Sequence, residues 1–194
     1  VQADLFDAPA SALPDGLLYQ PGFLSAGEEA QLLDWIATLP LHAARYKAYT
    51  ARRRVASFGT SYDFDDQRLL PAPPLPAQLR ALRERAAAWA RLAAADFHNA
   101  LIAEYAPGTP LGWHRDVPDH EVVVGVSLRG AARMRFRRYP PTQPRAADVF
   151  SLELAPRSIY VLRGEARWAW QHSIAPTDEL RYSITLRTPS QRRG

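Results

Sequence analysis

After residue 98 the apolar residues stop recurring every three or four positions and begin to alternate. That change of period decides which architectures are open to the chain. Glu121-Val122-Val123-Val124-Gly125-Val126-Ser127-Leu128 is a β-branched run suited to a buried strand. Short strands are predicted near 99–105, 111–114, 121–128, 132–138, 148–154, 158–163, 168–173 and 181–188. Pro107-Gly108, Pro140-Pro141 and Arg163-Gly164 punctuate the joins. Upstream, Ser25-Ala26-Gly27-Glu28 is a capping-box pattern, and Leu32, Leu33 and Ile36 follow at helical spacing. A helix is predicted over 26–39, ending before Pro40, and a second over 76–95 with Leu79, Leu82, Ala86 and Trp89 as its buried stripe. Residues 40–74 read as irregular and are rich in Arg, Tyr and Phe. Two helices followed by eight short strands predict an α+β, mainly β fold. The expected form is a double-stranded β-helix, a jelly-roll variant, with the N-terminal helices supporting one sheet.

A chain of 194 residues accommodates one domain with a real core. The expected division is an N-terminal extension over 1–20 and a single domain over 21–194, with the jelly-roll core at 99–188. No apolar stretch approaches bilayer-spanning length, and Val1 to Leu18 lacks the basic start and apolar run of a signal peptide. No membrane association is expected. Cysteine is absent, so disulfides and thiolate metal sites are excluded. That suits a reducing compartment, and the expectation is a cytoplasmic monomer. Net charge is +4, carried almost wholly by arginine, with Lys47 the only lysine. An excess of positive charge fits an anionic partner such as nucleic acid, although coding bias toward arginine fits it as well.

The chemistry concentrates in three places. Gly112-Trp113-His114-Arg115-Asp116 lies mid-chain, Trp170-Gln171-His172 follows later, and Arg181 and Arg187 close the last strand. Side chains alternate along a strand, so His114 and Asp116 point the same way while Arg115 points away. Two imidazoles and one carboxylate suffice to hold one face of an iron(II) ion and leave the other face open. A following arginine is what a dicarboxylate co-substrate needs, because its planar fork grips a carboxylate with two charge-assisted hydrogen bonds. Together these features suggest an oxygenase using iron(II), 2-oxoglutarate and O2. His98 and His120 lack ligand spacing to His114 and are expected to be solvated or to sit beside the ligands.

At these residues the chain resembles the AlkB-like iron- and 2-oxoglutarate-dependent dioxygenases, over roughly Pro21 to Thr188. The likeness is densest in Tyr105-Ala106-Pro107-Gly108, in His114-Arg115-Asp116 and in the strand from Arg181 to Arg187. It implies metal binding by His114, Asp116 and His172. It implies that Arg181 and Tyr105 take the far carboxylate of 2-oxoglutarate, with Arg187 near the inner carboxylate and Asp116. Ser183 and Ala103 both stand where relatives have Asn, which thins the polar shell. Asn99 is a candidate to compensate.

The resemblance also implies a substrate-recognition lid over 40–74, carried by Arg54-Val55-Ala56-Ser57-Phe58-Gly59 and Tyr62-Asp63-Phe64. Arg54, Phe58, Tyr62, Phe64 and Asp65 are the implied substrate contacts, with Phe64 stacking on a base and Tyr62 at its edge. Arg133, Arg135, Arg137 and Arg138 are candidates to grip phosphates. Val117-Pro118 intervenes where repair members carry an acidic base contact, so either base choice differs or Asp119 takes that role from a shifted loop.

The leading expectation is oxidative demethylation of N-alkylated bases in DNA, RNA or both, single-stranded or duplex, releasing succinate, CO2 and formaldehyde. The same iron chemistry on a protein side chain or small metabolite is the alternative. A binding module with a vestigial metal site is the non-enzymatic one.

Overall fold

A computed structural model of the protein describes residues 13–46, 49–141 and 149–191. Two antiparallel sheets face each other. The larger has seven strands in the order β1 (Leu17–Gln20), β11 (Ile159–Leu162), β8 (His120–Leu128), β13 (Arg181–Pro189), β6 (Asn99–Tyr105), β3 (Tyr49–Phe58) and β2 (His42–Tyr46). The smaller runs β10 (Phe150–Leu154), β9 (Ala132–Arg138), β12 (Trp170–Ile174) and β7 (Leu111–His114). A separate hairpin pairs β4 (Thr60–Asp63) with β5 (Arg68–Pro71). The eight strands β6 to β13 are the expected jelly-roll set, crossing between the two sheets at every step except β9 to β10, which pair in the small one.

The large sheet is built on strict alternation. Ala100, Ile102, Ile184 and Leu186 enter a core shared with helix α1 (Ala26–Ile36) and helix α2 (Arg80–Ala90), whose Leu32, Ile36, Leu82 and Ala86 are buried against them. The opposite face carries the register pairs Tyr105–Arg181, Ala103–Ser183, Leu101–Thr185 and Asn99–Arg187, all turned into the space between the sheets. One face is therefore fold and the other is site.

Helix α1 starts as its sequence dictates: the Ser25 side chain accepts from the Glu28 amide, and the Glu28 carboxylate accepts from the Ser25 amide at 2.8 Å. It stops three residues short of expectation, because Thr38 and Leu39 donate to carbonyls only three residues back. Helix α2 is also shorter than the predicted 76–95. A 3-10 turn at Ala77–Leu79 precedes it, and Arg91 ends it in the left-handed region at φ 56. Arg163 donates to the freed Ala90 carbonyl at 3.0 Å.

Three further expectations are corrected. Residues 40–74 are not irregular, since they supply β2, β3, β4 and β5. The extension placed at 1–20 is outside the described residues as far as 12, but Leu17–Gln20 pairs with β11 and belongs to the large sheet. The strand placed at 168–173 begins only at Trp170, because Gly164–Trp168 forms a short helix, α3.

Gly125 interrupts the apolar run of β8 for a steric reason. It lies opposite Tyr160, and a Cβ on Gly125 would meet the Tyr160 ring at 2.3 Å. Tyr160 lies on the cavity wall and is 8% exposed. Gly125→Ala is expected to cost about 1–3 kcal/mol through overpacking, read by urea denaturation. In a Tyr160→Ala background the penalty should largely vanish, and a penalty unchanged there would assign it to some other contact.

Candidate active site

Between the sheets lies a cavity of about 880 Å³. His114, Asp116 and His172 meet at its base, each offering a ligand atom within 4.8 Å of the others. Register explains the meeting. His114 on β7 lies directly opposite His172 on β12, and their ring centroids are 4.3 Å apart. Asp116 follows two residues after His114. His172 Nε2 stands 3.6 Å from Asp116 Oδ2.

Each ligand is oriented by a neighbour. His114 Nδ1 lies 2.8 Å from the Gly112 carbonyl. Donating to that carbonyl keeps Nδ1 protonated and leaves Nε2 for a metal. Arg187 holds Asp116 Oδ1 through Nε at 3.2 Å and Nη2 at 3.1 Å, which leaves Oδ2 turned toward the histidines. Asn99 accepts from Arg187 Nη1 at 2.9 Å and donates to the Thr60 carbonyl at 2.7 Å. A continuous chain of bonds thus runs from the β4–β5 hairpin to the metal-binding carboxylate.

The protonation states suit a cation. Burial would raise Asp116, but the Arg187 guanidinium beside it holds it far below the usual carboxylate range. Burial pushes His172 down to about 3, with His114 adding to the effect and Asp116 opposing it. Burial also lowers His114. Both imidazoles are therefore neutral at neutral pH, as ligation requires, and the 3.6 Å approach of His172 to Asp116 is not an ion pair.

A second polar group sits further along the large sheet. Arg181 is 2% exposed, donates from Nε to Ser127 Oγ at 3.0 Å, and lies over the Tyr105 ring at 4.9 Å. Its Nη1 is buried with no hydrogen-bond partner. Such an orphan is costly unless an acceptor fills it. Burial would raise the Tyr105 phenol, but Arg53, Arg181 and hydrogen bonds with Arg53 and Ser183 outweigh it and the phenol is lowered. Ser183, set where a longer amide was expected, thus still serves the group.

A model of the family described as the 2OG-Fe(II) oxygenase superfamily matches residues 16–192. The chain belongs to that superfamily. Within it the protein is AlkB-like. It is 29% identical over 182 residues to the alkylated DNA repair protein ALKBH8 homolog of Arabidopsis thaliana, covering 82% of this chain and 50% of that one. It is 27% identical to the mouse tRNA (carboxymethyluridine(34)-5-O)-methyltransferase ALKBH8, covering 85% of this chain and 25% of that one. The chain thus spans half or less of the length of these curated relatives. The structure of OsALKBH1 superposes with a TM-score of 0.65 at 14% identity, covering 89% of this chain and 96% of that one, and shows the same fold.

This 2OG-Fe(II) oxygenase takes iron(II) and 2-oxoglutarate, and the residues fit both. Two neutral imidazoles and a fixed carboxylate are the donor set for the metal. The unpartnered Arg181 Nη1 awaits an acceptor such as a carboxylate oxygen.

The lid residues divide by parity. Arg53, Val55 and Ser57 on β3 face the cavity, as do Tyr62 and Phe64, whose rings meet edge-on at 4.9 Å. Arg54 and Phe58 have the other parity. Arg54 is turned away and grips Glu104 with both arms, at 2.7 and 2.8 Å, while Phe58 packs on Trp35 at 6.1 Å. Asp65 is exposed in a turn closed by Asp63, whose Oδ1 accepts from the Asp65 and Asp66 amides. These three do not line the cavity. Burial and then the nearby Asp119 raise the Tyr62 phenol, so Asp119 is near this wall.

Two residues escaped the sequence reading. Arg53 stood unsorted in an arginine triplet, and only strand parity could have singled it out. Arg167 is 2% exposed and donates to the carbonyls of Asp116, Val117 and His120, clamping the loop after the metal ligands. No local sequence signal marks it. His120 proves buried, not solvated, at 3% exposure, with its ring centroid 5.2 Å from His98.

Arg181→Ala removes a charged hydrogen-bond donor, worth about 1.5–3 kcal/mol. The 2-oxoglutarate concentration for half-maximal turnover should rise about ten- to hundredfold, and an unchanged value would remove Arg181 as the anchor. A second expectation concerns acid. Burial lowers His120 to about 3, as it does His172. Below an unfolded value of about 6.5 the unfolded chain gains protons that the folded metal-free protein refuses, so stability falls as pH drops from about 6.5 to 4. Urea denaturation across that range should show the slope, and His120→Leu should make it shallower.

Proposed function

We propose that this oxygenase demethylates N-alkylated bases in DNA, RNA or both. The observation that carries the reading is the composition of one cavity. It joins the metal triad to two aromatic rings and a guanidinium, from Phe64, Tyr62 and Arg53, on the wall opposite the small sheet. An exposed base is gripped by its π-face and its edge, and a phosphate by arginine. The names of the relatives, one an alkylated DNA repair protein and another a tRNA methyltransferase, support a nucleic acid substrate.

With iron(II) and 2-oxoglutarate bound, O2 would be the oxidant, one oxygen atom going to succinate as CO2 leaves and the other to the methyl carbon. The protein supplies position. Arg181, Tyr105 and Ser183 hold the co-substrate at the far end of the cavity. Arg187 fixes Asp116 by its Oδ1, leaving Oδ2 turned toward the two histidines that with it would hold the metal. Phe64 and Tyr62 would hold the base in the cavity that the triad shares, with its N-methyl group toward His114, Asp116 and His172. Hydroxylation of the methyl carbon gives a hemiaminal, which loses formaldehyde and restores the base.

The test is mass spectrometry of methylated oligonucleotides, single-stranded and duplex, of both sugars, with iron(II) and 2-oxoglutarate. Loss of the methyl group with stoichiometric formaldehyde is expected. Phe64→Ala should weaken substrate binding by about one to two decades, since base–aromatic stacking contributes about 1–3 kcal/mol. Its 2-oxoglutarate requirement should stay put. Decarboxylation driven by a peptide or a metabolite, with none on any oligonucleotide, would sink the nucleic acid reading.

A further inference from the structure

The outward face of the small sheet carries a surface that the cavity does not explain. Inward residues of β9 and β12, namely Met134, Phe136, His172 and Ile174, build core and site. The residues of opposite parity put Arg133, Arg135 and Arg137 in one row on the outside. Successive guanidinium positions are about 6.6 Å apart along the strand. Trp113 on β7 shares this face, with the Arg137 and Arg135 guanidiniums 4.4 and 5.3 Å from its ring centroid. Arg115 adds a fourth charge, stacked 3.7 Å over Tyr139, which is 41% exposed.

The charge of this face is poorly neutralised. Arg133 pairs with Glu153, both well exposed, a kind of pair worth little in water. Arg135 and Arg137 bond only to the neutral Ser173 Oγ and Gln171 Oε1, at 3.0 and 2.8 Å. Among the described residues no carboxylate lies within ion-pair distance of Arg135, Arg137 or Arg115. Arg138, grouped with them on sequence, has the inward parity at the strand's end, where it pairs with Glu165 and stacks on Trp170. The platform is therefore Arg133, Arg135, Arg137, Arg115, Trp113 and Tyr139.

Its position gives it an occupant. Trp113 and Arg115 flank the metal ligand His114 on β7, the edge strand of the small sheet, and both also reach the cavity rim. A polymer with one unit in the cavity and its neighbours over β7 arrives on this face. The geometry points to an outer-sheet track for the phosphodiester backbone of single-stranded nucleic acid flanking the base held in the cavity. Guanidiniums in a row match phosphates, and the flat rings between them accept unstacked bases. The inference rests on the nucleic acid reading of the cavity and extends it to residues that never touch the reacting base.

The test is fluorescence anisotropy of a labelled single-stranded oligonucleotide, titrated across salt concentrations, with wild-type protein and two double variants. R135Q/R137Q should bind about tenfold or more weakly, and the slope of log K against log salt should shrink by about 1.4, at roughly 0.7 per lost phosphate contact. R135K/R137K keeps the charge and should recover most of the slope, which separates charge from any loss of fold. Wild-type affinity and slope in R135Q/R137Q would overturn the track and leave the cavity reading intact. A wild-type protein that binds no oligonucleotide would overturn both. Competition by polyglutamate as effective as by unlabelled oligonucleotide would overturn nucleic acid as the occupant.

Discussion

The contact on which the site depends is the ion pair between Arg187 and Asp116. It joins the two sheets, because Arg187 belongs to the large one and Asp116 follows the edge strand of the small one. A carboxylate this deep would ordinarily take up a proton to escape the cost of burial. The guanidinium keeps it ionised, and by occupying one oxygen it determines which oxygen is left for a metal. Charge state and direction are set by one side chain. The histidines need no such partner, since burial alone keeps them neutral.

Alternation across the large sheet organises everything else. The same strands that close the helical core with Ile102, Ile184 and Leu186 present Tyr105, Arg181, Ser183 and Arg187 one residue out of phase. A one-residue slip of β13 would turn Arg181 and Arg187 into the helical core and Ile184 and Leu186 into the cavity. The apolar face therefore holds the co-substrate groups in register, although it touches none of them. Arg53 is drawn into the same scheme by the pairing of β3 with β6, which continues the sheet past the jelly-roll core.

Much of this was legible in the residues. The eight core strands fall within a few residues of their predicted places, most plainly β8, whose β-branched run is unbroken but for Gly125. The triad was legible from order: the i, i+2 pair His114 and Asp116, then the distant His172, then the arginines of the last strand. The lid was not, and the reason is physical. A stretch rich in Arg and Tyr lacks apolar alternation, so nothing local announces that β3 will be recruited by the open edge of β6. Without that strand its parity is unknown, so Arg54 and Phe58 read as candidates while Arg53, which faces the cavity, does not. Arg167 was invisible for another reason. Its partners are backbone carbonyls some fifty residues away, which leave no side-chain signature.

Asn99 reaches the β4–β5 hairpin through the carbonyl of Thr60, a group every residue possesses. The fastening is thus indifferent to what the hairpin is made of. Its side chains can be exchanged, and the turn at Asp63 rebuilt, while the strap to Arg187 and the metal end persists. A lineage could retune what the enzyme accepts by rewriting a dozen residues of surface loop, with the oxidising machinery left untouched. The fold separates an inherited engine from a replaceable mouthpiece, and the Asn99 amide spans the seam between them.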